Sequence, residues 1–228
     1  MNFMDAMLED LRWFGFEWSE GPDVGGQFVP YNQSERMSFY RAALEKLRTG
    51  NFIYPCTCSR KDIQAATRAP HANDDDEPIY PGTCRSNRKS ETANQKFNWR
   101  FRVPEGGTIS FVDGNRGGQK FVAGIDFGDF IVWRGDDVPA YQLACVVDDA
   151  AMAITEVVRG ADLLLSTARQ ILLYRALGLP SPEFFHCALM LDKKGARLAK
   201  RHDVLSLRTL RERGETPESL RWNSFVST

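Results

Sequence analysis

The chain has 228 residues, with 29 lysines and arginines against 30 aspartates and glutamates, a formal net charge of −1 with histidine neutral. That balance excludes a globally basic, charge-driven nucleic-acid binder, and 43% hydrophobic with 26% charged residues, 18 glycines and 11 prolines excludes low-complexity disorder. The length can bury a core without disulfide staples, no apolar run reaches the roughly 18 residues of a membrane span, and Asp5, Glu9 and Asp10 ahead of Arg12 give the wrong polarity for a secretory signal.

In chain order, Met4, Met7, Leu8, Leu11 and Phe14 at helical spacing predict a helix over 4–14, ended by Gly15. A second helix is expected from Ser34 as N-cap through Phe39, Ala43, Leu44 and Leu47, with Gly50 as its stop. A cysteine cluster follows Asn51-Phe52-Ile53-Tyr54-Pro55, and the acidic stretch around Asp74, Asp75, Asp76 and Glu77 reads as a surface excursion. From Phe97 to Arg134, short runs rich in Phe, Val, Ile and Trp alternate with glycine-rich turns and predict the strands of a compact subdomain. The nearly all-apolar run from Ala140 to Val147 reads as a strand ending in Asp148 and Asp149, and Ile154 to Val158 as another. A helix over Thr167 to Leu177 is stopped by Gly178 and Pro180, and Phe184 to Leu191 is again a buried-looking run. The pattern is that of an α/β chain interrupted by a smaller domain.

Three features carry chemistry. Cys56-Thr57-Cys58 and Tyr80-Pro81-Gly82-Thr83-Cys84 gather three thiols and a phenol within 29 residues. Thiolates in that number suit a tetrahedral metal ion that pins core-poor loops, although Cys-x-Cys departs from the commoner Cys-x2-Cys and buried thiols are the competing reading. On the residues alone, His71 and Tyr80 compete for the fourth ligand position. The odd count of five cysteines points to a reducing cytoplasm, with Cys145 and Cys187 placed in the core. Second, eight lysines and arginines lie between Lys193 and Arg213 against Asp203 and Glu212. A flexible basic loop of this kind either cradles polyphosphate or is a solvated turn. Third, Arg159 at a strand end, in Thr155-Glu156-Val157-Val158-Arg159-Gly160-Ala161-Asp162, either grips a carboxylate in a bidentate fork or pairs with one of the neighbouring acids.

Taken in order, Cys-x-Cys, Tyr-x3-Cys, Ala140-Tyr141-Gln142-Leu143-Ala144 with Val147-Asp148-Asp149, Thr155 to Leu163, and the lysine loop, the chain resembles glutamyl-Q tRNA(Asp) synthetase from about residue 4 to about residue 205. That family is a shortened paralogue of glutamyl-tRNA synthetase. The resemblance implies a ligase with a class I, Rossmann-like α/β catalytic domain, which activates L-glutamate with ATP and Mg2+ and transfers it to the queuosine base of tRNA(Asp). It implies one structural zinc on Cys56, Cys58, Tyr80 and Cys84, glutamate binding by Tyr141 and Arg159, and a KMSKS-like motif at Arg197-Leu198-Ala199-Lys200-Arg201. Within that motif Lys200 is matched to the lysine on the ATP phosphates, and Ala199 stands where serine is usual. Residues 1–50 are then the helical remainder of the first Rossmann half, 51–139 a zinc-containing β-rich insertion, and 140–228 the second half, in a cytoplasmic, membrane-free monomer. The family opens with a strand, a phosphate-binding turn bearing the "HIGH" signature and an acidic glutamate-binding segment. This chain begins at what resembles the next helix, and His71, His186 and His202 stand in no such signature. The expectation is a first βα segment missing from this chain, Met1 being an internal methionine of a longer reading frame, and an impaired ATP site, with a non-catalytic, zinc-containing tRNA-binding paralogue as the alternative.

Overall fold

The computed structural model describes residues 3–67, 79–86, 96–189 and 206–225. His71, the acidic run 74–77, His202 and the whole KMSKS-like motif, Arg197, Leu198, Ala199, Lys200 and Arg201, lie outside them. Its elements are α1 (Phe3–Trp13), α2 (Met37–Thr49), β1 (Ile53–Cys56), α3 (Arg60–Thr67), β2 (Asn98–Phe101), β3 (Thr108–Asp113), β4 (Gly117–Val122) and β5 (Phe130–Trp133), then α4 (Tyr141–Ala151), β6 (Glu156–Gly160), α5 (Leu164–Leu177), β7 (Glu183–Cys187), α6 (Leu207–Glu212) and α7 (Pro217–Phe225). They fall into two compact units, Met1–Val29 with Leu189–Thr228, and Pro30–Ala188.

In the first unit α1 and α6 are tied by charge. Arg208 reaches Glu9 and Asp10, each at 3.0 Å, and Arg211 reaches Glu9 at 3.0 Å. Ser206 caps α6 by accepting the Thr209 N–H, the satisfaction of an orphan donor that such a cap provides.

The second unit holds two sheets. One is antiparallel, in order β1-β2-β5. The other runs β4-β3-β7-β6: β3 and β4 form an antiparallel hairpin, β6 and β7 are parallel from Glu156↔Glu183 to Gly160↔Cys187, and a single parallel pair, Asp113↔Phe184, joins the two halves. Parallel neighbours need a long crossover, and α5 supplies it between β6 and β7. Helices α2, α4 and α5 pack on one another, and Tyr40, Leu47, Leu143, Val146, Leu173 and Leu177 share one core cluster with Phe101, Phe130, Val132 and Phe184. Among the described residues no helix is long and apolar enough to cross a membrane.

Two expectations are corrected. The run Ala140 to Val147 is not a strand: Tyr141–Ala151 is a helix with Gln142, Leu143, Ala144, Val146 and Val147 buried. A short apolar run fits a buried strand and a buried helix equally, and packing against α2 and α5 decides it. Ser34 is not an N-cap, because it lies inside a 3-10 turn, Gln33–Glu35, and α2 starts only after Arg36. The stop at Gly50 holds, but Asn51 takes the left-handed conformation there, with φ 57°. At the end of α5 Gly178 adopts it itself, with φ 61°.

Candidate active site and metal centre

Reading α4 as a helix changes what it presents. Tyr141, Cys145 and Asp149 are four residues apart and line one stripe, and all three lie within electrostatic reach of Arg159 on β6. Burial raises the Tyr141 phenol, with the guanidinium of Arg159 working against it. Burial pushes the Cys145 thiol up to about 11, and it also raises the Asp149 carboxyl, which accepts a hydrogen bond from Tyr174 Oη at 3.1 Å. Asp148, a 100° step back around the helix from Asp149, points to the start of α2 instead, where it accepts at 2.7 Å from Nε of Arg36, the residue just before that helix.

Arg159 has no carboxylate partner among the described residues. Its Nε donates to His186 Nε2 at 3.2 Å, and its Nη2 donates to Thr167 Oγ1 at 2.7 Å and Gln170 Oε1 at 2.8 Å. The guanidinium also lies over the Phe184 ring, 5.5 Å from its centroid. None of these contacts engages Nη1, and the Tyr141 phenol lies within hydrogen-bonding range of the guanidinium. The guanidinium is thus held along two edges by neutral acceptors, with the Asp149 carboxyl within electrostatic reach but not in contact.

The thiols of Cys56, Cys58 and Cys84 lie within 4.8 Å of one another. Tyr80 Oη is 3.4 Å from Cys56 Sγ and 3.5 Å from Cys58 Sγ, and it accepts the Cys84 backbone N–H at 2.8 Å. β1 brings Cys56 to the pairing with Asn98, and Arg100 on the neighbouring β2 donates to Cys56 Sγ at 3.2 Å while its guanidinium sits 4.1 Å above the Tyr80 ring. Protons leave the cluster unevenly. Burial opposes ionisation of Cys84, but hydrogen bonds from Tyr80, the Thr57 backbone and the other two thiols outweigh it and bring it to about 7. Burial pushes Cys58 up to about 11, and Tyr80 is raised by burial and by the thiols around it. These groups could hold a metal ion. Between this cluster and α4 runs a groove of about 640 Å³, lined among others by Cys58, Tyr80, Arg100, Tyr141, Gln142 and Arg169, so Tyr141 belongs to both regions.

A family model described as tRNA synthetases class I (E and Q), catalytic domain, matches residues 1–224. The chain belongs to this family. It is 50% identical over 224 residues to the glutamyl-Q tRNA(Asp) synthetase of Symbiobacterium thermophilum, covering 96% of this chain and 69% of that protein. It is 45% identical over 224 residues to glutamate–tRNA ligase 2 of Nitrosococcus oceani, covering 96% of this chain and 47% of that one. The crystal structure of glutamate-tRNA synthetase from Elizabethkingia anophelis superimposes with a TM-score of 0.73 at 29% identity, over 87% of this chain and 42% of that chain. The chain therefore spans between under half and just over two thirds of these relatives, which share its class I α/β fold and carry synthetase or ligase names.

The structure thus brings Cys56, Cys58, Tyr80 and Cys84 together, and separately Tyr141 and Arg159, while His186, Thr167 and Gln170 around Arg159 were not anticipated as site residues. One signal was present: Phe184-Phe185-His186-Cys187 puts an imidazole at the inward position of an apolar strand, where a polar group needs a buried partner.

Proposed function

We propose that this chain is the catalytic part of a glutamyl-Q tRNA(Asp) synthetase, which activates L-glutamate with ATP, releasing pyrophosphate, and transfers the glutamyl group to the queuosine base of tRNA(Asp). The observation that carries the reading is Arg159, a guanidinium held by neutral acceptors and left without an acid. In this reading it pairs with a carboxylate of glutamate, a planar contact that lysine cannot reproduce, and Tyr141 hydrogen-bonds the same amino acid. Lys200, in Arg197-Leu198-Ala199-Lys200-Arg201, neutralises the ATP phosphates as pyrophosphate departs, with Mg2+ accompanying the nucleotide. The cytoplasm and a monomeric state, and the division at 1–50, 51–139 and 140–228, belong to the same proposal.

Zinc suits the cysteine cluster. Zn–S bonds of about 2.3 Å and a Zn–O bond of about 2.0 Å at tetrahedral angles separate sulfur from sulfur by about 3.8 Å and sulfur from oxygen by about 3.5 Å. Cys58 and Cys84 are 3.5 Å apart, and the phenol oxygen is 3.4 and 3.5 Å from two sulfurs. Three thiolates and a phenolate around a dication leave two negative charges, which the Arg100 guanidinium and the Cys84 N–H on the phenol oxygen offset. The ion would fix the loops that carry Tyr80 and Cys84 to β1.

Calorimetric titration with L-glutamate tests the pocket. Wild type is expected to bind, and Arg159→Lys to bind roughly 10- to 100-fold more weakly, as loss of a charged hydrogen-bonded contact implies. Transfer of labelled glutamate to tRNA(Asp) with and without queuosine, and to tRNA(Glu), tests the acceptor. Labelling of queuosine-bearing tRNA(Asp) alone is the expected result; labelling of tRNA(Glu), or equal glutamate binding by Arg159→Lys, overturns the reading.

A further inference from the structure

Asp113 and His186 lie 73 positions apart, on β3 and β7, and neither is a substrate-binding position in the proposal above. Both side chains are fully buried, and His186 Nδ1 is 2.5 Å from Asp113 Oδ2. Burying a carboxylate and an imidazole together is costly unless both are satisfied. Asp113 Oδ1 accepts three backbone N–H groups, from Asn115 at 3.1 Å, Arg116 at 2.8 Å and His186 at 3.2 Å. Burial alone would raise this carboxyl, but the His186 bond and these backbone donors hold it at about 2, so it is an ionised acceptor at neutral pH. An ionised acceptor on Nδ1 requires the proton there, and the other ring nitrogen of a neutral imidazole is then a lone pair. That lone pair faces Arg159 Nε at 3.2 Å and Thr167 Oγ1 at 3.1 Å. Apart from Asp113 on β3 and Arg159 on β6, the groups facing the ring are neutral: Thr167 on α5 and the stacked Phe184 ring on β7.

We propose that Asp113 and His186 are positioning residues for Arg159: the carboxylate fixes the imidazole in the Nδ1–H form, and Nε2 then holds the Nε edge of the guanidinium so that Nη1 meets the substrate carboxylate. The opposite tautomer would set an N–H against the Arg159 N–H, and the arginine would turn away. Thr167 and Gln170 hold Nη2, so three neutral acceptors define the plane of the fork. The inference rests on the reading of Arg159 as the glutamate grip.

Three variants separate positioning from space-filling. His186→Gln can return an acceptor oxygen to the place of Nε2 while losing the bond to Asp113. His186→Asn keeps a donor for Asp113 and loses the acceptor for Arg159. Asp113→Asn keeps an oxygen for the backbone N–H groups but offers its NH2 to Nδ1, which drives the ring proton to Nε2. L-glutamate affinity is expected within about threefold of wild type for His186→Gln and roughly tenfold or more weaker for His186→Asn and Asp113→Asn, the loss of one charged hydrogen bond. Imidazole nitrogen NMR of the glutamate-free protein is expected to show Nδ1 protonated in wild type and Nε2 protonated in Asp113→Asn; this readout needs neither substrate nor a stable His186 variant. Nε2 protonated in wild type, or His186→Asn binding as tightly as His186→Gln, overturns the positioning role and leaves the glutamate site standing. Absence of glutamate binding by wild type, whatever the tautomer, overturns the substrate reading and the role built on it.

Discussion

Replacing Asp148 by alanine tests whether α4 is anchored by charge. The Asp148 carboxylate accepts from Arg36 Nε at 2.7 Å, from Tyr40 Oη at 2.8 and 2.9 Å on its two oxygens, and from Gln33 Nε2 at 2.9 Å. Arg36 is only 1% exposed and Tyr40 is completely buried. Removing the carboxylate breaks the ion pair of a buried guanidinium, a loss of about 3–5 kcal/mol. The orphaned phenol adds a penalty of about 1–3 kcal/mol that overlaps with the first, because the groups share one network. With a urea slope of about 2 kcal/mol per molar, a loss of 4 kcal/mol moves the unfolding midpoint down by about 2 M. Urea denaturation followed by circular dichroism measures it. A triple change, Arg36→Met, Tyr40→Phe and Asp148→Leu, should recover most of the loss, since an apolar set of similar volume commonly replaces a buried ion pair without cost. A midpoint in Asp148→Ala within about 0.5 M of wild type would refute the reasoning, because it would mean that water reaches Arg36 once the carboxylate is gone.

Elemental analysis of purified protein should find one zinc per chain, retained in Cys145→Ala and Cys187→Ala and lost in the Cys56→Ala, Cys84→Ala double variant; unchanged zinc in the double variant rejects the assignment. Because the folded-state carboxyl of Asp113 is held at about 2, below its ordinary value of 3.8, its contribution to stability is full above about pH 4 and is lost as pH falls towards 2. The acid limb of a pH–stability curve should therefore be shallower in Asp113→Asn, and an identical limb would contradict the assigned environment. Gly178→Ala, at φ 61°, should cost about 1 kcal/mol in thermal unfolding. No loss there would show that the turn after α5 can relax.

The parts of this molecule legible in its sequence are those fixed by neighbours along the chain. Gly50 and Gly178 end helices because backbone conformation at those points is local, and Cys56, Cys58 and Cys84 mark a candidate thiol cluster, with separate buried thiols as the competing reading until the fold brings the three together. The error at Tyr141–Ala151 has a physical origin: eight mostly apolar residues carry no polar marker of period, so only packing distinguishes a helix from a strand. That error hid the stripe of Tyr141, Cys145 and Asp149, since strand geometry would have sent successive residues to opposite faces. The network around Arg159 was invisible for another reason. Asp113, Arg159, Thr167, Gln170 and His186 come from β3, β6, α5 and β7, and no short motif spans a contact made by sheet pairing between segments 73 residues apart.

The junction between the β3–β4 hairpin and the parallel β6–β7 pair bears on how the protein folds. It has one register pair, Asp113↔Phe184, with the Gly114 N–H on Phe184 O at 2.8 Å, the Asn115 side chain on His186 O at 2.8 Å, the His186 side-chain and backbone bonds to Asp113, and the Phe111–Phe184 ring contact. A hairpin closes locally and early, whereas joining partners this far apart first costs the entropy of closing the chain between them. The two halves of the sheet should accordingly form separately, and their joining should be a slow step. Substitutions at Asp113 or His186 would then slow refolding as well as hasten unfolding, so the residues proposed to aim the arginine would also govern how the two halves of the sheet come together.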